Sequence, residues 1–362
     1  MDIRQATRAY ERWLGQHGTI VRSDLTRKHL RMTESAFVFL RGTFYRWIQL
    51  WPTVCASVAD APRVLAIGDL HVENFGTWRD AEGRLVWGVN DVDEACELPY
   101  TQDLVRLATS ALLAIRQRHF SLSPRDACDA ILDGYVAARD RGGRPLVLAE
   151  RRRWLRQLAL NKSRDPVNFW ATLESLRPAR GLVPHATLRS VLPDPKLPYR
   201  VVQRVAGVGS LGRERFVALA TWGDSAIARE AKAFVPSASV WATGTSSATT
   251  DGMQLLQRAV RVPDPMFEFR GKWIVRRLAP DCSRMELDEL PQKRDERRLL
   301  RAMGWDTANL HLGTRRVGIG RDLQSRPLRW LEHAATAMAQ VVDAEWREWT
   351  ALTLGPPPAP PT

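Results

Sequence analysis

Asp69 and Asn74 lie on one short run, Ile67-Gly68-Asp69-Leu70-His71-Val72-Glu73-Asn74-Phe75-Gly76, and Asp91 follows in Val89-Asn90-Asp91-Val92-Asp93-Glu94. Phosphoryl transfer asks little covalent chemistry of a protein. It needs a carboxylate to orient or deprotonate the attacking hydroxyl, and oxygen ligands to hold Mg²⁺ on the phosphates. A loop carrying an acid and an amide, with a second acid returned beside them, meets that need. Asp, Asn and Gly are also ordinary turn formers, so any one of these residues taken alone reads as loop-shaping. The joint arrangement of acid, amide, hairpin and acid is what points to chemistry.

The elements around the trio are of a kind that can position it. Val64-Leu65-Ala66-Ile67 is a short β-like run ending at Gly68. Residues 75–78 and 85–89 alternate as strands joined by the turn Asp80-Ala81-Glu82-Gly83. Strand ends hold side chains more firmly than free loops do. Residues 1–60 read as helical, with Phe44, Trp47, Ile48 and Trp51 as an apolar stripe. Residues 101–162 read as two or three helices, one opening at Ser123-Pro124. Residues 163–198, irregular and rich in proline and arginine, read as a connector or a surface excursion. From 199 the pattern turns β (199–206, 215–221, 225–234, 266–269 and 272–278), interrupted by a helix over 251–260, and 293–349 return to helix. The expected class is therefore α+β with two lobes. Residues 1–198 form a helical lobe with the loop and hairpin, 199–290 a β-rich lobe and 291–354 helices completing the first lobe. Residues 355–362 form a disordered proline-rich tail.

A second constellation begins at Gly207-Val208-Gly209-Ser210-Leu211-Gly212. The pattern G-x-G-x-x-G is weak alone, and a dinucleotide fold requires it between a strand and a helix. Here a strand pattern stands on both sides, as in a hairpin that closes over phosphates. An ordinary glycine hairpin is the plain alternative. The next strand carries Arg229-Glu230-Ala231-Lys232, so Lys232 or Arg229 is the candidate phosphate contact. The arrangement resembles that of kinases, which pair such a lysine with an acid on a nearby helix, and Asp251, opening the following helix, is the candidate the resemblance implies.

The Gly68-Asp69-Leu70-His71-Val72-Glu73-Asn74 run resembles the G-D-x-H-x-x-N catalytic loop of aminoglycoside and choline kinases, and Asp91-Val92-Asp93 is similar to their second acid motif. The resemblance implies Asp69 as catalytic base, Asn74 and Asp91 as Mg²⁺ ligands, and Asp93 in support. It implies His71 as a brace of the loop, and ATP with Mg²⁺ as the cofactors. Asp103, opening a helix, would either satisfy backbone donors of the loop or act as a simple first-turn acid. The glycine turn and its lysine follow the loop here, whereas in a kinase they precede it. A circularly permuted two-lobe kinase-like fold accounts for that order. The same order, together with Phe37-Val38-Phe39-Leu40-Arg41-Gly42, Asp103-Leu104-Val105-Arg106-Leu107, and Gly304-Trp305 through His311, resembles domain-of-unknown-function family 2252.

The expectation is thus an ATP-dependent phosphotransferase with a small-molecule acceptor. Transfer of a nucleotidyl group, or a non-catalytic nucleotide-binding role, are the alternatives on the same scaffold. Gly68-Asp69-Leu70-His71 also resembles the opening of metallophosphoesterases, but the further histidine motifs of that class are absent, with His119, His185, His311 and His333 standing alone. The net charge of +13 attracts phosphates or nucleic acid, yet the charge is spread and no nucleic-acid motif accompanies it. Four cysteines without a CxxC pair argue for reduced, buried thiols. No run is long and apolar enough for a membrane helix and no signal core opens the chain, so the expected location is cytoplasmic.

Overall fold

A computed structural model describes residues 1–148, 152–160, 164–244, 251–282, 284–291, 295–314 and 318–355. The proline-rich tail expected over 355–362 lies, beyond Gly355, outside the described residues.

Five helices open the chain: α1 (Ile3–Gly15), α2 (Arg22–Arg31), α3 (Ala36–Gly42), α4 (Phe44–Val54) and α5 (Ala56–Ala59). Asp2 and Gln5 close α1 with a reciprocal capping box. Then come β1 (Arg63–Ala66), β2 (Phe75–Arg79), β3 (Leu85–Val89) and β4 (Cys96–Pro99), followed by α6 (Tyr100–Arg116) and α7 (Pro124–Asp140). β2 and β3 form the expected hairpin, extended by β5 (Leu146–Val147). β4 had no sequence signal; it pairs antiparallel with β1, Ala66 opposite Cys96. The chain thereby leaves β1 at Ile67-Gly68 directly beside the residues that follow the second acid motif.

α6 is buried on all sides from Tyr100 to Ala114, the mark of a helix at the centre of a core. α7 crosses α13 (Glu296–His311) so closely that two glycines are obligatory. A Cβ on Gly134 would lie 1.9 Å from the Arg301 carbonyl oxygen, and one on Gly304 1.9 Å from that of Ile131. α8 (Arg153–Ala159) and α15 (Trp330–Leu354) complete this helical unit, with α14 (Ile319–Ser325) between α13 and α15.

The second unit is a five-stranded antiparallel sheet in the order β6-β7-β8-β10-β9. Its strands are β6 (Tyr199–Gln203), β7 (Arg215–Trp222), β8 (Ser225–Ala233), β9 (Glu268–Arg270) and β10 (Trp273–Leu278). Residues 163–198 are not an irregular connector. They contain α9 (Pro166–Glu174) and α10 (His185–Arg189), one on each face of the sheet. Leu173 of α9 packs with Val202, Val217 and Leu278; Leu188 of α10 packs with Phe216, Ala231 and Val275. By packing, this unit begins near 166 rather than at 199. The segment between β8 and β9 returns to the helical unit instead: α11 (Ala238–Thr243) lies on α4, and Leu255 of α12 (Asp251–Arg258) joins the helical core. The architecture is α+β. No helix among the described residues is long and apolar enough to cross a membrane.

Candidate functional site

The loop between β1 and β2 carries Asp69 and Asn74, and its shape is set from behind by α6 and α13. Asp103 accepts hydrogen bonds from the Ile67 N–H at 2.7 Å and the Gly68 N–H at 2.9 Å. His311 Nε2 lies 2.9 Å from the same carboxylate, and its Nδ1 lies 2.9 Å from the Tyr135 hydroxyl. His311 therefore does not stand alone: it braces the acid that braces the loop. Asp306, one turn earlier on α13, accepts from the Val89 N–H at 2.8 Å, where β3 runs out towards Asp91. Ser110 of α6 accepts from the Val72 N–H.

Within the loop, His71 Nδ1 accepts from the Glu73 N–H. Burial, then the charges of Arg41 and Arg106, hold this imidazole well below its ordinary pKa, so it is a neutral structural ring. Asn74 is a staple. Its Nδ2 donates to the carbonyls of Asp69 (3.0 Å) and Asp91 (3.1 Å), and its Oδ1 accepts from the Asp91 N–H (3.0 Å). The amide thus joins the two acids it was expected to assist, with one Oδ1 lone pair left over. Asp69 is ion-paired through Oδ1 to Arg106 of α6, whose guanidinium also donates to the Leu40 carbonyl.

The glycine turn meets this loop although it comes more than a hundred residues later. A Cβ on Gly209 would lie 3.0 Å from the Arg41 carbonyl oxygen and 3.3 Å from Asp69 Oδ2. The turn is clamped rather than free. Val208 and Leu211 are buried, and the Gly212 carbonyl accepts from the Val21 N–H at 2.9 Å. Gly207 and Gly212 take positive φ, +75° and +96°, which glycine alone adopts without strain. The Ser210 and Leu211 amides close turns onto Gly207 and Val208, and the Ser210 hydroxyl accepts from Arg215 at 2.8 Å. The turn therefore presents a folded edge to Asp69, not an open row of amides.

β8 separates Lys232 from Arg229. Strand alternation puts them on opposite faces. Lys232 Nζ lies 3.0 Å from Asp91 Oδ2 and 2.7 Å from Asp93 Oδ2. Arg229 points to the α10 side and donates to the Val191 and Ala228 carbonyls, so it does not belong to the site. Asp251 is not a partner of Lys232 either; the acids facing that lysine are those of the hairpin end. Asp93 also takes Arg213 at 3.0 Å, and Arg213 reaches Glu94 at 2.9 Å. Burial would raise the Asp93 pKa, but Lys232 and Arg213 hold it well below the carboxylate range. Asp91, with its side chain 46% exposed at the cleft mouth, is pushed up by its enclosure and by the charge of Asp93, against the pull of Lys232.

On the same sheet face, Glu230 is fully buried and paired with Arg204, Arg215 and Arg276, whose charges draw its pKa well down despite burial. Three guanidinium groups on one carboxylate leave this wall of the cleft positive. Arg213, Glu94, Arg106 and this cluster were not singled out from the sequence. Arg106 had a signal, its place one turn after Asp103 on a helix. The others had none, because their partners are distant in the chain.

The cleft between the units has a volume of about 420 Å³, with Asp69, Asn74, Asp91, Lys232's partner Asp93, Gly207 and Ser210 in its walls. That is within the usual range for a small-molecule site. The space directly under the glycine turn, above Asp69, is about 50 Å³. Among the described residues no group of three or more His, Cys, Asp or Glu side chains is arranged to hold a metal ion. The chemistry of the donors still suits Mg²⁺, which takes one or two carboxylates and fills its shell with water and phosphate oxygens. Asp91 offers two oxygens and Asn74 its remaining lone pair. The four cysteines are free and buried, and burial raises Cys282, which lines the cleft, to about 11, so no thiol here is a nucleophile.

Fold and site together define an α+β protein of two units with a charged cleft between them. Residues 21–163 match the model of a family described as an uncharacterized protein conserved in bacteria (DUF2252). That stretch carries Asp69, Asn74, Asp91, Asp93, Asp103 and Arg106, while the glycine turn and Lys232 lie beyond it. No curated protein and no solved structure matches the chain.

Proposed function

We propose that this chain is an ATP- and Mg²⁺-dependent phosphotransferase acting on a hydroxyl of a small acceptor, with a kinase-like site assembled in permuted order. The observation that carries the reading is the convergence of two distant stretches. Gly209 stands against Asp69, and Lys232 stands on Asp91 and Asp93.

In this reading Asp69 Oδ2, the oxygen Arg106 leaves free, accepts the acceptor's hydroxyl proton as the hydroxyl oxygen bonds to the γ-phosphorus. The bond from the γ-phosphorus to the bridging oxygen breaks, and ADP leaves with the electron pair. Lys232 and the arginine wall offset phosphate charge. Asp91 and Asn74 would hold Mg²⁺, which supplies further neutralisation of the phosphates. Catalysis of this kind is mostly positioning and electrostatics, and the bracing of Asp69 through Asp103 and His311 serves it.

A second reading, a non-catalytic nucleotide-binding protein, draws on two observations. Arg106 pins Asp69, and only about 50 Å³ remains above it. Thermal shift with ATP, with and without Mg²⁺, tests both readings at once; no shift at millimolar nucleotide sinks both. ATP labelled on the α- or the γ-phosphate then separates phosphoryl from nucleotidyl transfer and from no transfer. Asp91→Ala is expected to abolish metal-dependent binding. Asp69→Asn is expected to bind Mg-ATP but not turn over, and retained turnover removes Asp69 from the base role.

A further inference from the structure

Lys28 of α2 is the odd cation of the small pocket under the glycine turn. It is 5% exposed, and among the described residues its Nζ makes one hydrogen bond, a long one of 3.4 Å to the Gly209 carbonyl. The Tyr45 ring centroid lies 5.8 Å away. Every other cation lining this pocket has a carboxylate: Lys232 has Asp91 and Asp93, Arg213 has Asp93 and Glu94, Arg41 has Glu73, and Arg284 has Glu286. Among the described residues, Lys28 has none within ion-pair distance. A buried ammonium with no counter-ion and two protons unplaced is unfavourable, and burial pushes its pKa down to about 8. Arg41, in the same wall, has an unmet donor of its own, since among the described residues its buried Nε has no hydrogen-bond partner. Groups held at such cost in a cleft are characteristic of ligand sites.

The pocket's free space of about 50 Å³ has room for roughly four water-sized spheres. Its size suits a compact group such as a carboxylate or a phosphate. Asp69 is in the same wall. We propose that Lys28, helped by Arg41, anchors a compact oxyanion that the acceptor carries close to its reactive hydroxyl, so that the acceptor is a hydroxy acid or a phosphorylated alcohol. The assignment rests on the reading of Asp69 as the base. It also sets this chain apart from the kinases its loop resembles, whose aminoglycoside and choline acceptors are cations: a neutral or cationic alcohol would leave Lys28 without a counter-charge.

The test is calorimetric titration of the full chain with inorganic phosphate, with acetate and with Mg-ATP, for the wild type, Lys28→Met and Lys28→Gln, the last serving if the methionine variant does not fold. The expected result is that the wild type binds at least one of the two anions. Removing the ammonium weakens that binding by about tenfold or more, leaves Mg-ATP affinity within about threefold, and does not lower the melting temperature of the ligand-free protein. Unchanged anion affinity overturns the proposal, as does a wild type that binds neither anion. Parallel loss of anion and Mg-ATP binding assigns Lys28 to the nucleotide and overturns the acceptor-side role. A melting temperature that falls with unaltered anion binding marks Lys28 as structural. Absence of Mg-ATP binding to the wild type sinks the phosphotransferase reading and with it the acceptor role, and the anion arms, read separately, still decide whether Lys28 holds an oxyanion.

Discussion

Lys232 Nζ and Asp91 Oδ2 stand 3.0 Å apart although 141 residues separate them in the chain, and Asp93 takes the same ammonium at 2.7 Å. Here the sheet unit inserts a charge into the acids of the helical unit, as Arg213 also does at Asp93 and Glu94. Lys232→Met leaves two neighbouring carboxylates without it. The variant is expected to lose Mg-ATP binding and about 2 kcal/mol of stability, less than a fully buried pair would cost because Asp91 is half-exposed. Urea denaturation checks the second figure. The pH dependence follows from Asp93, whose folded pKa is depressed. Its contribution is complete above the unfolded carboxylate pKa of about 4 and fades as pH falls below it. Lys232→Met, by relaxing that depression, is expected to shrink the loss of stability that Asp93 contributes as pH falls below about 4.

Glu230 is the counter-charge for three arginines and has no exposure of its own. Glu230→Gln keeps the shape and removes the charge. It is expected to cost about 3–5 kcal/mol, read as a lower denaturation midpoint, with the loss seated in the sheet unit by hydrogen exchange.

Gly209→Ala tests the approach of the glycine turn to Asp69. The backbone conformation of Gly209 permits alanine, so the effect is steric: the new methyl meets the Arg41 carbonyl at 3.0 Å and Asp69 Oδ2 at 3.3 Å. A loss of about 1 kcal/mol in stability is expected, together with a larger proportional loss of any ATP-dependent activity. Equal activity in the variant would mean the turn moves away from Asp69 when substrate is bound.

Asp103→Asn reaches the site without touching substrate. Asp103 holds two backbone N–H groups and His311. Asparagine keeps one acceptor oxygen and places an NH₂ where the other stood. A stability loss of about 2 kcal/mol is expected from the donor left facing a donor. If Asp103 only positions the loop, turnover falls while Mg-ATP affinity changes little.

Lys28 gives a prediction of opposite sign. Its pKa falls from 10.5 unfolded to about 8 folded, so the folded state resists the charged form. At pH below 8 the ammonium opposes folding by about 3 kcal/mol, and this penalty disappears as pH rises from 8 towards 10.5. Lys28→Met is expected to be more stable than wild type near neutrality, with the difference shrinking across that window. Glu11, Glu94, Asp69 and Arg213 act on Lys28, and comparing the two proteins at each pH cancels their own titrations. A difference that stays constant from pH 7 to 10.5 would contradict the shift.

Much of this was legible beforehand. The β2–β3 hairpin and the meander of β6, β7 and β8 could be read because strand alternation and turn residues are properties of neighbours along the chain. α9 and α10 could not. They are 9 and 5 residues long, too short to hold as helices alone, and form because Leu173 and Leu188 seal the two sheet faces. β4 exists only by pairing with β1. In sequence Lys232 was the candidate and Arg229 its competitor, and one strand's alternation separates them once its two faces are known.

By itself the sequence determined the chemical inventory: an acid and an amide on one loop, an acid at a hairpin end, a glycine turn between strands and two cations on the strand after it. Local conformational preference suffices for that. Only the tertiary structure decided that Lys232 faces Asp91 and Asp93, that Gly209 lies against Asp69, and that Lys28 is buried with no counter-charge. Such facts depend on the packing of segments far apart in the chain and on the water that packing excludes, and neither is encoded in the spacing of near neighbours.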